Sequence, residues 1–294
     1  MYDYGNARIA ALRSRLLDAS QLRRLATSET PDAFLTALER ADDWRAILRE
    51  TAPLFSDPQA AVATAIERHR SVRSRAMIGW YDGPTRRLAE ALVMGLDLER
   101  LVAITRRRHG GASASAIGSS VTAGALLDVA TLGAIARTSG EADLERVLVR
   151  AGVLTAAEAR TLSADAGGND QRRLEDRIVH AFDTARARRA AGRGQAARRV
   201  RAILADERAV RTAVVAELGE DGPSAAWLVE RSLTLARLDR IARLGPRDPL
   251  GIGTVAGYAA AIEAQAIRLR ASLARVVSGW GQDLLVPFLG AGRG

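Results

Sequence analysis

Helix-forming residues fill most of this 294-residue chain, and this feature constrains its fold more than any other. Alanine, leucine and arginine dominate, and apolar residues recur at steps of three and four positions, as with Ile9, Leu12 and Leu16. Such spacing places apolar side chains on one face of an α-helix. Runs of β-branched and aromatic residues, which favour strands, are missing, and aromatic residues make up only 4% of the chain. The sequence therefore predicts an all-α fold.

Two segments predict helical hairpins. The first covers residues 4–48, and its second helix begins at Thr30-Pro31-Asp32, which combines an N-cap, a proline at the first helical position and an acid in the first turn. The second covers residues 124–162 and has a polar turn at 138–140. After it, Thr155 followed by Glu158 three residues later predicts a capping box on a further short helix.

A recurring order of motifs predicts a repeated helical unit. An apolar residue followed by glutamate opens a helical stretch at Ile66-Glu67, Leu174-Glu175 and Val229-Glu230. An aspartate then heads an amphipathic helix that ends at a glycine, from Asp97 to Gly110 and from Asp206 to Gly219. In a third copy, residues 230–279, Gln265 stands near the aspartate position.

The repeats predict three tandem helical domains, of which the third is shortened because no hairpin fits between Gly219 and Glu230. We expect the domains at residues 1–110, 111–219 and 220–294. The Gly/Ser/Ala-rich segment 110–124 predicts a linker, and 164–170 predicts a turn. The last residues, 289–294, predict a flexible Gly-rich tail.

Two residue types that many active sites use, cysteine and lysine, are absent from the sequence. There are no cysteines, and the three histidines, His69, His109 and His180, have no metal-ligand spacing. A phosphate-binding loop is excluded because the chain has no lysine. The glycines of 251–257 depart from the dinucleotide-binding spacing and predict a helix start instead. We expect no catalytic residues, no cofactor-binding site and no metal site, although carboxylate chemistry in a helical enzyme stays open.

All 43 basic residues are arginine, and the net charge is +9. The charge either attracts a polyanion or reflects arginine replacing lysine throughout the chain. The densest cluster is Arg186–Arg201, with smaller ones at Arg68–Arg75 and Arg106–Arg108. No aromatic residue, which could stack on a base, is interleaved in the largest cluster. Nucleic-acid binding by an Arg-rich helical protein nevertheless stays as the alternative function because of the charge. We expect neither a signal segment nor a membrane span in the sequence.

Four segments, taken in order, resemble the C-type subunit of V/A-type ATPases, a relative of the d-type subunit of vacuolar ATPases. Residues 4–17 are similar to the family's first helix with its Asn-Ala-Arg motif, and 97–108 to a helix that ends in basic residues. Residues 124–132 look like its Gly-x-Leu hairpin, and 248–270 like its last helix. The motif positions are Tyr4, Asn6, Arg8, Asp97, Leu101, Asp206, Tyr258, Glu263, Leu269 and Arg270.

The resemblance implies a non-catalytic central-stalk subunit of a V/A-type proton- or sodium-translocating ATPase. It implies a funnel of three similar helical domains with approximate threefold symmetry, seated on the proteolipid ring and receiving the foot of the central shaft. The partners would be the ring and the shaft subunits, with no membrane span and no nucleic acid. The protein would then lie at the cytoplasmic side of the cell membrane as a peripheral subunit.

Overall fold

A computed structural model describes residues 2–163, 171–217 and 223–279 of the protein. Every regular element in these ranges is helical, so the predicted all-α fold is confirmed. The chain forms two compact units, one of Met1–Arg73 with Ala202–Gly294 and the other of Ser74–Arg201. The predicted turn at 164–170, the helix end at Gly219 and the tail from Leu289 lie outside the described residues.

Sixteen α-helices lie within the described residues. In chain order they are α1 Asp3–Arg13, α2 Ala19–Ala26, α3 Pro31–Glu39, α4 Asp42–Thr51, α5 Pro58–Gly79, α6 Gly83–Val93, α7 Gly95–His109, α8 Ala114–Ser120, α9 Val129–Ala136, α10 Glu141–Arg150, α11 Ala156–Ser163, α12 Gln171–Arg189, α13 Gln195–Glu217, α14 Pro223–Ala242, α15 Leu244–Arg247 and α16 Ile252–Ser278. The chain leaves the first unit within α5 and returns to it within α13.

Local capping signals divide the first segment into four short helices, so the prediction of one hairpin over residues 4–48 is wrong. Asp18 begins α2 with a capping box, in which its carboxylate accepts from the Gln21 N–H at 2.8 Å. The predicted cap at Thr30 is confirmed, since its hydroxyl accepts from the Ala33 N–H at 3.2 Å. The first N–H groups of a helix have no carbonyl partner within that helix. Each cap supplies an acceptor for one of them, so a new helix can start at that residue.

The core of the first unit joins the N-terminal helices to α16, the last helix of the described residues. Phe34 and Trp44, from α3 and α4, are buried in one cluster with Leu269 and Leu273 of α16. The glycines at 251–257 lie at the start of α16, as predicted for a helix start. Residues more than 200 positions apart in the sequence thus share one hydrophobic core.

The second unit follows the predicted order of short helices after residue 124. Helices α9 and α10 flank the predicted turn, although α9 begins only at Val129. The capping box of α11 is confirmed, because the Thr155 N–H donates to Glu158 at 2.8 Å and the Glu158 N–H donates to the Thr155 hydroxyl at 3.3 Å. Leu144, Leu148 and Leu162 pack into one buried core with Phe182 of α12.

The segment 110–124 contains the helix α8, so the predicted linker is wrong. The Ser113 hydroxyl accepts from the Ala116 N–H at 3.2 Å and starts the helix, and Ile117 is fully buried in the core of the second unit. The small residues around Ile117 gave no amphipathic pattern, and its buried side chain, with the bonds of Arg107 to Ser120 and the Ala116 carbonyl, holds this short helix.

The repeat motifs do not occupy equivalent places in their helices. Asp97 lies in the first turn of α7, as predicted, but Asp206 lies near the middle of α13 and does not head a helix. Likewise Leu174-Glu175 opens α12, whereas Ile66-Glu67 lies inside α5. Helix α13 runs on through Asp206, where the sequence predicted a helix start, because its Ala- and Arg-rich sequence favours helix on both sides of that position.

Candidate functional site

The side chain of Asn6 ties α1 to the turn before α16. Its Nδ2 donates to the carbonyl oxygens of Pro249 at 3.0 Å and Gly251 at 3.1 Å. Asn6 is only 4% exposed, so both bonds are shielded from water. Asn6 was identified by the sequence motif, and in the structure it joins α1 to the turn before α16.

Asp248 and two glycines complete this turn. The Asp248 carboxylate accepts from the Gly253 N–H at 2.9 Å and so satisfies one unpaired donor at the start of α16. A Cβ atom at Gly251 would lie 2.2 Å from Asp248 Oδ1, and one at Gly253 would lie 2.7 Å from Asp248 Cβ. A side chain at Gly251 would therefore displace the carboxylate from its bond, and Gly253 is restricted further because the Leu244 carbonyl lies 3.1 Å from the same Cβ position.

Tyr4 and Arg8, the other motif positions of α1, lie on the surface. The Arg8 guanidinium carbon stands 4.5 Å from the centre of the Tyr4 ring, a cation–π contact between residues one helical turn apart. Tyr4 remains 63% exposed. The three motif residues of α1 thus divide into one buried structural residue and two exposed ones.

A chain of alternating charges connects α5 to α16. Glu263 accepts from Arg70 Nε at 2.9 Å, and Arg70 Nη1 donates to Glu67 at 3.1 Å. Glu67 also pairs with Arg270 of α16. Arg70 is 1% exposed, so its charge is tolerated only because two carboxylates face it. The motif residues Glu263 and Arg270 are therefore both parts of one ion-pair network.

A second buried polar group surrounds Asp43. Its carboxylate accepts from His69 Nε2 at 2.8 Å and from Arg73 Nε at 3.0 Å, and the Trp44 ring stacks on His69 with centroids 4.2 Å apart. Burial lowers the pKa of His69 to about 4, so the ring is neutral at neutral pH. Asp43 and Arg73 then balance each other, and His69 acts as a neutral donor.

Tyr258 and Leu269, further motif positions, are fully buried on α16. Burial raises the pKa of Tyr258, while Arg73 and Arg15 act in the opposite direction. Its hydroxyl makes no hydrogen bond among the described residues. Leu269 packs in the core of the first unit. Asp206 differs from both, since it forms an exposed ion pair with Arg240 at 2.6 Å.

Asp97 organises the turn 124–127 in the second unit. Its carboxylate accepts from the N–H groups of Leu126 at 3.0 Å and Leu127 at 2.9 Å, and a Cβ atom at Gly124 would lie 1.9 Å from Asp97 Oδ1. Arg75 holds the same turn by donating to the carbonyl oxygens of Gly124 at 3.0 Å and Leu127 at 2.7 Å.

Burial raises the pKa of Asp97 to about 6, and the bonds from Leu127 and Leu126 oppose that rise. The carboxylate has no exposed surface. Leu101, one turn further along α7, is also fully buried and belongs to the core of this unit. Both motif residues of α7 therefore face inward.

Most of the arginines in the predicted clusters bind groups of the protein itself. Arg186 donates to the Ala91 carbonyl at 2.9 Å, Arg188 to Glu158 at 2.7 Å, and Arg201 to the Ala190 carbonyl at 2.9 Å. Arg106 pairs with Glu175 at 2.8 Å. Five donors on a planar group suit the unsatisfied carbonyls at helix ends. This internal use accounts for much of the arginine content without a polyanionic partner.

Sequence reasoning missed the partners of these residues. Asp43, His69, Arg70 and Arg75 were not identified as residues with buried partners, because their bonds join positions that no motif or spacing connects. The available signal was that a charged residue on an apolar helix face is expected to be buried. This signal does not show which residue the buried charge binds.

The described residues contain no group of three or more His, Asp or Glu side chains placed to hold a metal ion. None of the helices in the described part of the chain has the length and apolarity that a membrane crossing requires. The polar residues that the structure brings together are pairs and networks that fasten helices to one another.

These features define an all-helical protein braced by buried ion pairs and by arginines bound to helix-end carbonyls. A sequence model of the ATP synthase (C/AC39) subunit family matches residues 5–153, slightly more than half of the chain. The protein belongs to this family. No curated protein matches the chain. Asn6, Arg8, Asp97 and Leu101 lie within the match, whereas Tyr4 and the motif positions from Asp206 onward lie outside it.

Proposed function

We propose that this protein is a non-catalytic central-stalk subunit of a V/A-type ATPase that translocates protons or sodium ions. In this role it couples the central shaft to the membrane proteolipid ring. The observation that carries the proposal is membership of the ATP synthase (C/AC39) subunit family over residues 5–153. The family supports a role as an ATP synthase subunit, and the position in the rotor is what we propose beyond it.

The bracing of both units supports a role in passing torque. A coupling subunit transforms no substrate, so it needs stiffness and two binding surfaces. Close-packed helical cores resist deformation. The Asn6 bonds, the Arg70 network and the Asp97 bonds join each helix to a segment that is not adjacent in sequence, so they add links to those cores.

The domain organisation belongs to the same proposal. Three helical domains, at residues 1–110, 111–219 and 220–294, would form a funnel whose third part is shortened. The funnel would stand on the cytoplasmic face of the membrane as a peripheral part. In this proposal the buried motif residues Asn6, Asp97 and Tyr258 keep the domains rigid. Arg8, Tyr4 and Asp206 lie on the surface and are candidates for contact with other subunits.

Co-purification from native membranes tests the proposal. An affinity-tagged copy of the chain is expressed in the native cell, and the membranes are extracted with a mild detergent. We expect proteolipid and shaft subunits to elute with the tag, and ATP-driven ion pumping to be lost in cells that lack the gene. The proposal fails if the eluate contains no ATPase subunit while the tagged chain is folded and abundant. A gel-shift titration at two salt concentrations separates this role from nucleic-acid binding.

A further inference from the structure

The turn at residues 248–252, here called the Leu250 turn, exposes an apolar side chain on a tightly held backbone. Leu250 is 71% exposed. The carbonyls on both sides of it, those of Pro249 and Gly251, accept from buried Asn6 at 3.0 and 3.1 Å. Asp248 and Gly253 close the turn with a further bond of 2.9 Å. The backbone of the turn is therefore fixed while its tip contributes nothing to the core.

Such an arrangement suits binding better than folding. An exposed leucine gains no stability from burial in the isolated protein. A rigid backbone, however, lowers the entropy lost when a side chain is immobilised in a complex. The bonds of buried Asn6 and of Asp248 hold the backbone at one exposed leucine in place, so the turn has the features of a preorganised contact.

Two arginines lie close to the leucine in the sequence. Arg243 and Arg247, within seven residues of Leu250, are exposed, and neither has an ion-pair partner in the described ranges. The acid nearest in sequence, Asp248, is occupied with the Gly253 N–H. The exposed surface of residues 243–250 thus combines one apolar side chain, two prolines and two unneutralised guanidinium groups.

We propose that residues 243–250 form a docking surface for a protein partner with an apolar pocket rimmed by Asp or Glu. Leu250 enters the pocket, while Arg243 and Arg247 pair with the acidic rim. Apolar anchors in the centre of a contact supply most of the affinity, and charges at the edge orient the partners and speed their association. The inference rests on the proposed function, since it takes the partner to be another subunit of the same ATPase.

Charge also argues against a second copy of the chain as the occupant. Two such surfaces facing each other would bring four arginines together with only the two Asp248 carboxylates, each already bound to a Gly253 N–H, and like charges in contact oppose association. An acidic partner fits the same surface. A lipid membrane with anionic headgroups would also attract arginine, and the experiment below treats it as a separate outcome.

Matched leucine substitutions test the surface in the whole complex. Tagged wild-type protein, Leu250→Ser and Leu54→Ser are expressed in the native cell, and the ATPase subunits that elute with each are quantified. Leu54 is 69% exposed in the same unit, so it controls for loss of an exposed leucine. We expect Leu250→Ser to lower the bound subunits about tenfold, as removal of an interface anchor does, and Leu54→Ser to leave them unchanged.

The arginines have their own control. Arg247→Glu should lower the bound subunits and Arg49→Glu, at another exposed position, should not. Equal binding by all four variants and the wild type overturns the docking surface and leaves the proposed function standing. Failure of the wild type itself to bind ATPase subunits overturns both.

A photo-crosslinking amino acid at position 250 identifies the occupant. A crosslink to an ATPase subunit supports the proposal, and the crosslinked peptide should contain Asp or Glu beside apolar residues. A crosslink to a second copy of the chain, or to lipid, overturns it. Flotation with anionic vesicles of phosphatidylglycerol gives a second measure, because binding that depends on Leu250 would favour the membrane over a protein partner.

Discussion

Replacing Asp97 with asparagine should change how stability depends on pH. In the native protein burial raises the Asp97 pKa to about 6, whereas the ordinary value is 3.8. Between these values the native state keeps a proton that the unfolded chain releases. Stability from this group is therefore fully present below pH 3.8 and is lost as the pH rises through 6. Asparagine cannot ionise, so Asp97→Asn removes this dependence.

The magnitude follows from the size of the shift. A difference of about 2 pKa units corresponds to about 3 kcal/mol of unfolding free energy, of which about 2 kcal/mol falls between pH 4.5 and 7. The unfolding free energy of the wild type minus that of Asp97→Asn should fall by this amount as the pH rises. Loss of one acceptor oxygen for the Leu126 and Leu127 N–H groups adds an offset that does not vary with pH.

Urea unfolding followed by circular dichroism at 222 nm measures this difference. Subtracting the variant from the wild type cancels the other titrating groups. Asp128→Asn is the control, because hydrogen bonds with Thr131 lower the pKa of exposed Asp128, and its difference from the wild type should be flat from pH 4.5 to 7. A difference for Asp97→Asn that stays constant or rises over this range would refute the conclusion that burial disfavours the Asp97 carboxylate.

Three further substitutions test other parts of the two units. His69→Gln should show the opposite pH trend: the buried His69 has its pKa lowered from 6.5 to about 4, so the advantage of the wild type, measured by urea unfolding, should grow by about 3 kcal/mol as the pH rises from 4 to 6.5. Gly124→Ala should lower the unfolding free energy by about 2 kcal/mol, since its Cβ would lie 1.9 Å from Asp97 Oδ1. The control Gly118→Ala, in open space within α8, should be neutral or stabilising in the same titration, and a similar loss at both sites would contradict the close approach. Glu263→Gln should cost about 2 kcal/mol or more because it leaves buried Arg70 with one carboxylate fewer, and Asp206→Asn, in an exposed pair, should cost less than about 1 kcal/mol in thermal unfolding; equal losses would argue against a buried network.

The sequence predicted helix caps correctly where the donor and the acceptor of the capping hydrogen bond lie in one short segment. The caps at Thr30 and Thr155 are examples, since each hydroxyl bonds an N–H three residues away. The Asp18 capping box is equally local, and it was overlooked. Overlooking it produced the wrong hairpin over residues 4–48.

The candidate site was only partly accessible to such reasoning. The motif gave Asn6 and Glu263 as important positions, but not their bonds to Pro249 and Arg70. The prediction of a linker at 110–124 was wrong for a related reason. Ile117 is buried in a helix because it packs against core residues that lie elsewhere in the chain. The prediction that Asp206 heads a helix was wrong because a matching spacing does not show whether a helix already continues through that position.

The sequence by itself determined the helical class, several helix starts and the family, because periodicity, caps and motifs act within a few turns of the chain. Only the tertiary structure decided which charges are buried and what they bind. Asp97 becomes a buried acceptor because Leu126 and Leu127 fold back onto it, about thirty residues away. Its altered pKa is a property of that enclosure, since desolvation depends on what surrounds a group in space and not on its neighbours in sequence.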